Sequence, residues 1–213
     1  MANRNSPRSS VRWLEGGLLF IGLVLAGVWL WNYAEVHAFQ SAESRKLEAG
    51  LRLEDSMSIA ASSPAKGTSA PGPAKRSTAS AAAKSVIGRI EIPRLRISGM
   101  IAEGTDNGTL KHAVGHVPKT SQPGEAGNVG LAAHRDGLFR GLGGVKKDDV
   151  IRIVTVRGTY SYRVEWMVVV DPHRVDVLDP TAERSLTLVT CYPFDWIGHA
   201  PKRFIVRARQ FES

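Results

Sequence analysis

The chain has a single cysteine among its 213 residues, Cys191, so it can form neither an intramolecular disulfide nor a multi-cysteine zinc cage. Aromatic residues are sparse at 7%, and no basic run interleaved with them offers a nucleic acid both charge and stacking. Acidic groups are the minority, 20 against 28 basic, for a formal net charge of +8. That excess is not gathered anywhere: residues 1–85 hold 10 basic and 6 acidic groups, and residues 86–213 hold 18 and 14. Charge so diffuse, with no recognisable DNA-reading helix, speaks against a nucleic-acid partner. The length allows one ordinary domain plus an appendage, and hardly two full domains.

Charge is missing altogether from one N-terminal run. Gly16 to Trp31 contains no charged residue, and from Trp13 to Tyr33 only Glu15 intrudes; about 20 residues is what a bilayer span requires. Trp13 stands at one edge and Trp29, Trp31 and Tyr33 at the other, where amphipathic rings prefer the headgroup zone. Arg4, Arg8 and Arg12 precede the run and Glu35 is the first charge after it, a bias that places residues 1–12 in the cytoplasm and everything beyond residue 33 outside. Val36-His37-Ala38 would also suit a signal peptidase, so a cleaved signal peptide is the competing reading. The length favours a retained anchor over residues 13–33, and the glycines and the polar neighbouring segment count against a buried core helix.

Residues 34–55 mix charges with Leu47, Leu51 and Leu53 and can continue as an exposed helix. Residues 56–85 are rich in Ser, Ala, Lys, Gly and Pro and hold no aromatic, the composition of a flexible tether. Residues 34–85 are therefore expected to be an extracytoplasmic helix and linker, and residues 86–213 the folded domain. There the alternation of apolar and polar residues predicts strands at Val86 to Ile92, Leu95 to Ile101, Asn128 to Ala133, Ser185 to Thr190 and Arg203 to Arg209. A hairpin is expected from Val150 to Val156 and Tyr160 to Val170 across Arg157-Gly158-Thr159. Short helices are expected near Gly108 to Val114 and Gly137 to Gly143. Seven or so short strands with little helix indicate an all-β antiparallel barrel or sandwich.

Three reactive side chains fall at or beside strand ends: His134, Cys191 and Arg203. Free cysteines are usually small buried core residues, but Cys191 leads into a loop containing Pro193, Asp195 and Gly198. At a strand exit a nearby cation or base can generate a thiolate. Thiol chemistry with an amine leaving group needs a proton carrier near neutral pH. His134 can fill that role. Its strongest rival is His116 in Gly115-His116-Val117-Pro118, followed by His112, His173 and His199. Arg203 can be one surface arginine among several on its strand, with Arg207 and Arg209. It can equally be a planar, permanently charged donor to the oxyanion of acyl transfer. No carboxylate is obviously placed to complete a triad, although Asp136 and Asp195 are near in sequence. His112 and His116 have a metal-ligand spacing, but Gly115 and Pro118 make a helical pair there doubtful, so no metal is expected.

Thr187-Leu188-Val189-Thr190-Cys191 resembles the Thr-Leu-x-Thr-Cys signature of sortases, with Arg203 the expected dozen or so residues later. Ala132-Ala133-His134-Arg135-Asp136 resembles the family's histidine segment, and the runs His134 to Arg140 and Cys191-Tyr192-Pro193-Phe194 look most like the class D branch. The resemblance covers roughly residues 86–210. It implies an eight-stranded sortase-type β-barrel tethered outside the membrane, acting as a cysteine transpeptidase on a sorting motif near the C-terminus of secreted proteins. It further implies that Cys191 attacks a Thr carbonyl, that His134 is the general acid and base, that Arg203 is the donor to the oxyanion, and that an amine acceptor on a cell-envelope peptide or a protein lysine resolves the thioacyl enzyme. Thr190 is then expected to shape the substrate groove, with His116 a further substrate-binding candidate. No cofactor is implied, and nothing in the sequence indicates calcium modulation. A thiol hydrolase of the same fold and a catalytically silent, tethered binding module remain the alternatives.

Overall fold

In a computed structural model of the chain, the described residues are 8–61, 85–196 and 198–212. They divide into two compact units with the boundary after Phe39. The first is the leading part of helix α1, Arg8–Ala61. Within this helix Gly17–Arg52 includes a stretch long and apolar enough to cross a membrane, none of it buried inside the protein. Trp29 stacks on Tyr33 with ring centroids 5.5 Å apart. The tether expected over residues 56–85 is helical as far as Ala61; residues 62–84 lie outside the described residues.

The second unit is a closed barrel of eight strands: β1 Val86–Ile92, β2 Ile97–Glu103, β3 Val114–His116, β4 Asn128–Ala132, β5 Val150–Thr155, β6 Gly158–Val170, β7 Ser185–Tyr192 and β8 Lys202–Phe211. Around the barrel they run β1-β2-β3-β4-β7-β8-β6-β5, with β5 closing on β1. The sheet is mixed and not wholly antiparallel, because β2·β3 and β4·β7 pair in parallel. A parallel pair needs a long crossover, and β5 and β6 supply it between β4 and β7. The helix expected near Gly108 to Val114 is shorter: α2, Asn107–His112, is capped by the Asp106 carboxylate on the Gly108 and Thr109 amides. Val114 belongs instead to the three-residue strand β3, which the sequence reading passed over. The helix expected over Gly137 to Gly143 is a 3-10 turn at Arg140–Gly144.

Alternate residues of each strand point inward, and these build the core: Ile90, Ile92, Leu131, Ile151, Ile153, Tyr162, Leu186, Leu188 and Val206 are all sealed from solvent. A second apolar cluster lies on the outer face of β7 and β8, where Val170, Val177 and Ile205 pack with Leu178 and Val189. The 3-10 turn Val175–Leu178 thus roofs these strands, which explains why Leu186, Thr187 and Leu188 are all fully buried. Gly115 permits close approach of its neighbour, since a Cβ there would stand 2.3 Å from the Gly104 carbonyl oxygen.

The C-terminal part of α1 is not the exposed helix expected from its charges. Leu47 is buried, the Gln40 amide donates to the His112 carbonyl, and its oxygen accepts the Met100 N–H at 2.8 Å. Gln40, Ser44 and Leu47 form one helical stripe, and the Ser44 hydroxyl meets the Met100 sulfur at 3.4 Å. At the neighbouring ends of β1 and β5, the Arg94 guanidinium after β1 pairs with the buried Asp149 carboxylate before β5, which also accepts the Lys146 amide at 2.7 Å.

Candidate active site

Three neighbouring strands, β4, β7 and β8, carry the three reactive residues to one rim of the barrel. In the antiparallel β7·β8 ladder Cys191 is paired directly with Arg203, so their side chains share a face, with Cβ atoms about 5 Å apart in such pairs. In the parallel β4·β7 ladder the last pair is Ala132 with Val189. Two residues further along each chain stand His134 and Cys191. On β4 the alternation sends Leu131 and Ala133 into the core, so His134 points outward and is exposed. Cys191 is a free, half-buried thiol on the middle strand of the three, with the segment of His134 on one side and Arg203 of β8 on the other.

Specific hydrogen bonds hold this register at its end. The Ala133 amide donates to the Val189 carbonyl at 3.3 Å, and the Thr190 hydroxyl donates to the Ala133 carbonyl at 2.8 Å. Beyond β4 the His134 carbonyl accepts the amides of both Gly137 and Phe139 at 3.2 Å. Phe139 is fully buried, so the turn that presents the imidazole is anchored in the core. Below the rim, Phe194 lies 5.5 Å from Phe204 and 6.0 Å from Tyr192, ring to ring, both edge-on. Phe194 and Phe204 pack against the barrel core, so this aromatic cluster closes the interior on the face of β7 and β8 opposite to the one that Cys191 and Arg203 share.

The roof over β4 and β7 is fixed through one backbone oxygen. The Val177 carbonyl accepts from Asn128 Nδ2 at 3.2 Å, Thr187 Oγ1 at 3.4 Å and Arg207 Nη2 at 2.8 Å, so β4, β7 and β8 each supply a donor. Thr187 also donates to Asn128 Oδ1 at 2.7 Å. Arg207 is therefore no surface arginine of an exposed strand face. It is buried beneath Trp166, with its guanidinium carbon 5.5 Å from the indole centroid, and burial lowers its pKa. Nothing in the linear pattern distinguishes it from Arg209, which lies half exposed and pairs with Glu165 and Glu183.

The remaining sequence candidates fall elsewhere. His116 is 1% exposed. Its Nδ1 faces the Glu103 carboxylate, and its Nε2 lies 3.0 Å from the Ser121 carbonyl oxygen and 3.1 Å from the Thr120 hydroxyl. With both ring nitrogens occupied inside the fold it offers no edge to a substrate, which removes it from the substrate-binding set and as a rival to His134. Thr190 is 2% exposed, so its hydroxyl serves the Ala133 carbonyl and not the groove surface. Asp136 and Asp195 are both exposed. No group of three or more His, Cys, Asp or Glu suited to a metal ion occurs among the described residues. One residue beside the site went unassigned in the sequence reading: Arg135, whose Nη2 donates to the Trp196 and Gly198 carbonyls.

The folded domain is similar to known proteins. A family model described as the Sortase domain matches residues 90–211. The chain is 36% identical over 124 residues to Sortase D of Bacillus subtilis, an alignment covering 58% of this chain and 63% of that relative. It is 32% identical over 124 residues to Sortase A of Listeria monocytogenes, covering 56% and 54%. The chain thus spans between about half and two thirds of the length of these curated relatives. Among solved structures, a Clostridium perfringens Sortase D5 transpeptidase superposes with a TM-score of 0.55 at 30% identity, over 60% of this chain and 79% of that one. Sortase A from Corynebacterium diphtheriae gives 0.58 at 32% identity, over 62% and 63%. With the barrel, the signature strand and the family model in agreement, the chain belongs to the sortase family.

Proposed function

We propose that the chain is a membrane-anchored cysteine transpeptidase. It cleaves an LPxT-like sorting motif near the C-terminus of secreted proteins and joins the Thr carbonyl to an amine. The observation that carries this reading is the placement of Cys191 on a strand between His134 and Arg203, outward-facing and accessible. Similarity to the Clostridium perfringens protein described as a transpeptidase supports it.

His134 takes the Cys191 S–H proton as the sulfur attacks the Thr carbonyl carbon, and the carbonyl oxygen takes up negative charge as the tetrahedral intermediate forms. Arg203 stabilises that charge with a planar cationic donor. The C–N bond then breaks and His134 gives a proton to the departing amine, leaving a thioester on the sulfur. An acceptor amine attacks the thioester carbonyl, His134 removes its proton, and the thiolate departs to restore the enzyme. Each step proceeds without a cofactor. The N-terminal helix anchors the chain with residues 1–12 in the cytoplasm and the barrel outside the membrane. The acceptor is a cell-envelope peptide or a protein lysine.

The test is mass spectrometry of the full chain in detergent, incubated with LPxT-like peptides with and without an oligoglycine or diaminopimelate peptide. A mass gain on Cys191, absent from Cys191→Ala, and a new amide product in the presence of amine are expected. Release of acid alone, regardless of amine, identifies a thiol hydrolase; no adduct with any peptide identifies a binding module.

A further inference from the structure

The loop from Pro193 to Pro201 carries the backbone from Cys191 to Arg203, and two guanidinium groups take its carbonyls in turn. Arg135 Nη2 donates to the carbonyls of Trp196 at 2.7 Å and Gly198 at 2.8 Å. Arg203 Nη1 donates to those of Ala200 at 3.3 Å and Lys202 at 3.0 Å. The accepting residues are alternate positions of one segment. The two donors come from opposite sides of Cys191, Arg135 from the turn beyond β4 and Arg203 from β8. Within the loop the Trp196 indole N–H also donates to the His199 carbonyl at 3.1 Å, which ties its crest together. Arg135 Nη1 is buried with no hydrogen-bond partner among the described residues. The burial is confined to that nitrogen, since the residue is half-buried and Nη2 makes its two backbone bonds near the surface; a buried, unpartnered N–H is unfavourable, and the two backbone bonds offset its cost.

We infer that Arg135 is a positioning residue for Arg203. It pins the crest of the β7–β8 loop to the segment that presents His134, and through the Ala200 carbonyl that loop sets the direction of the Arg203 guanidinium beside Cys191. One side chain thereby couples the placement of the imidazole to the placement of the oxyanion donor. A lysine preserves the charge and can donate twice from one nitrogen, but its ammonium sits one bond nearer the backbone than the Nη2 that makes both bonds here, so it reaches the two carbonyls less well. The inference rests on the proposed role of Arg203 in acyl transfer.

The test compares full-length wild type, Arg135→Ala and Arg135→Lys in detergent, using thioacyl formation with an LPxT-like peptide, alkylation of Cys191 by a small thiol reagent, and amide hydrogen exchange. A misaimed oxyanion donor acts in the transition state and spares ground-state binding, so Arg135→Ala is expected to lower kcat about 10- to 100-fold while KM and the alkylation rate stay within about 2-fold. Exchange should rise in residues 195–201 and stay at the wild-type level in β4 and β7. Arg135→Lys should recover part of the loss, and added guanidinium ion should rescue Arg135→Ala but not Arg203→Ala. Wild-type kcat in Arg135→Ala, or an exchange increase that spreads through β4 and β7, would overturn the inference. If wild type forms no thioacyl adduct, the transpeptidase reading fails by itself, and loop exchange still decides whether Arg135 holds the loop.

Discussion

The Thr190 hydroxyl donates to the Ala133 carbonyl at 2.8 Å, binding the residue before the thiol to the residue before the imidazole. Both groups are buried. Thr190→Val keeps the shape and leaves a desolvated carbonyl without its partner, at a cost of about 1–3 kcal/mol in denaturant unfolding. Because the same bond aligns β4 with β7, acylation should fall as well. Thr190→Ser is expected to retain both stability and rate, which chemical denaturation and peptide acylation assays check together.

Arg203→Lys keeps a positive charge opposite Cys191 and loses the planar donor. The expected result is acylation slowed about 100- to 1000-fold, the range seen when one oxyanion donor is removed. Alkylation of Cys191 by a small reagent needs no oxyanion donor and should continue. Pre-steady-state acylation compared with alkylation rates separates the two effects.

The Asp149 carboxyl is held below its usual range chiefly by the hydrogen bond from Arg94, with the Lys146 amide assisting against the opposing effect of burial. A carboxyl with a lowered folded-state pKa stabilises the protein above its unfolded pKa of about 3.9, and that stability disappears as pH falls through the folded value. Asp149→Asn should therefore be less stable than wild type at neutral pH and converge with it in acid. Thermal melts recorded between neutral pH and pH 2 test the convergence.

Tyr162 lies inside the barrel, and burial pushes its hydroxyl up to about 12, with the Gly124 backbone offsetting part of the effect. A raised folded-state pKa means stability that is complete below the unfolded value of about 10 and is lost as pH rises through the folded one. Wild type should thus lose stability between pH 10 and about 12. Tyr162→Phe should lack this decline while staying within about 1 kcal/mol of wild type at neutral pH. Denaturation midpoints across that alkaline range distinguish them.

Local alternation made much of the barrel legible: β1 was bounded at both ends, β4, β5 and β6 within two residues. Strand β3 was hidden because three residues are too few to show a period. The parallel β4·β7 pairing was equally hidden, since alternation fixes which face a residue occupies and not which distant strand lies beside it. His134, Cys191 and Arg203 could be named from their motifs, but their adjacency depends on that pairing. Arg207 read as a surface residue because the roof over its strand arrives from Val175–Leu178. Arg135 follows His134 directly, but its sequence neighbours give no sign of its role because its two acceptors lie 61 and 63 residues away. The docking stripe of α1 escaped notice because Gln40 and Ser44 are polar and meet groups of the barrel by hydrogen bonding, a contact that hydrophobic periodicity cannot register.

The same-direction pairing of β4 and β7 also bears on when during folding the site comes together. Sulfur and imidazole stand on segments that become neighbours only after β5 and β6 have looped out and β7 has returned to β4. A chain that has not completed this pairing therefore holds Cys191 and His134 apart, and the acyl transfer proposed for them becomes available only to molecules that have completed their architecture.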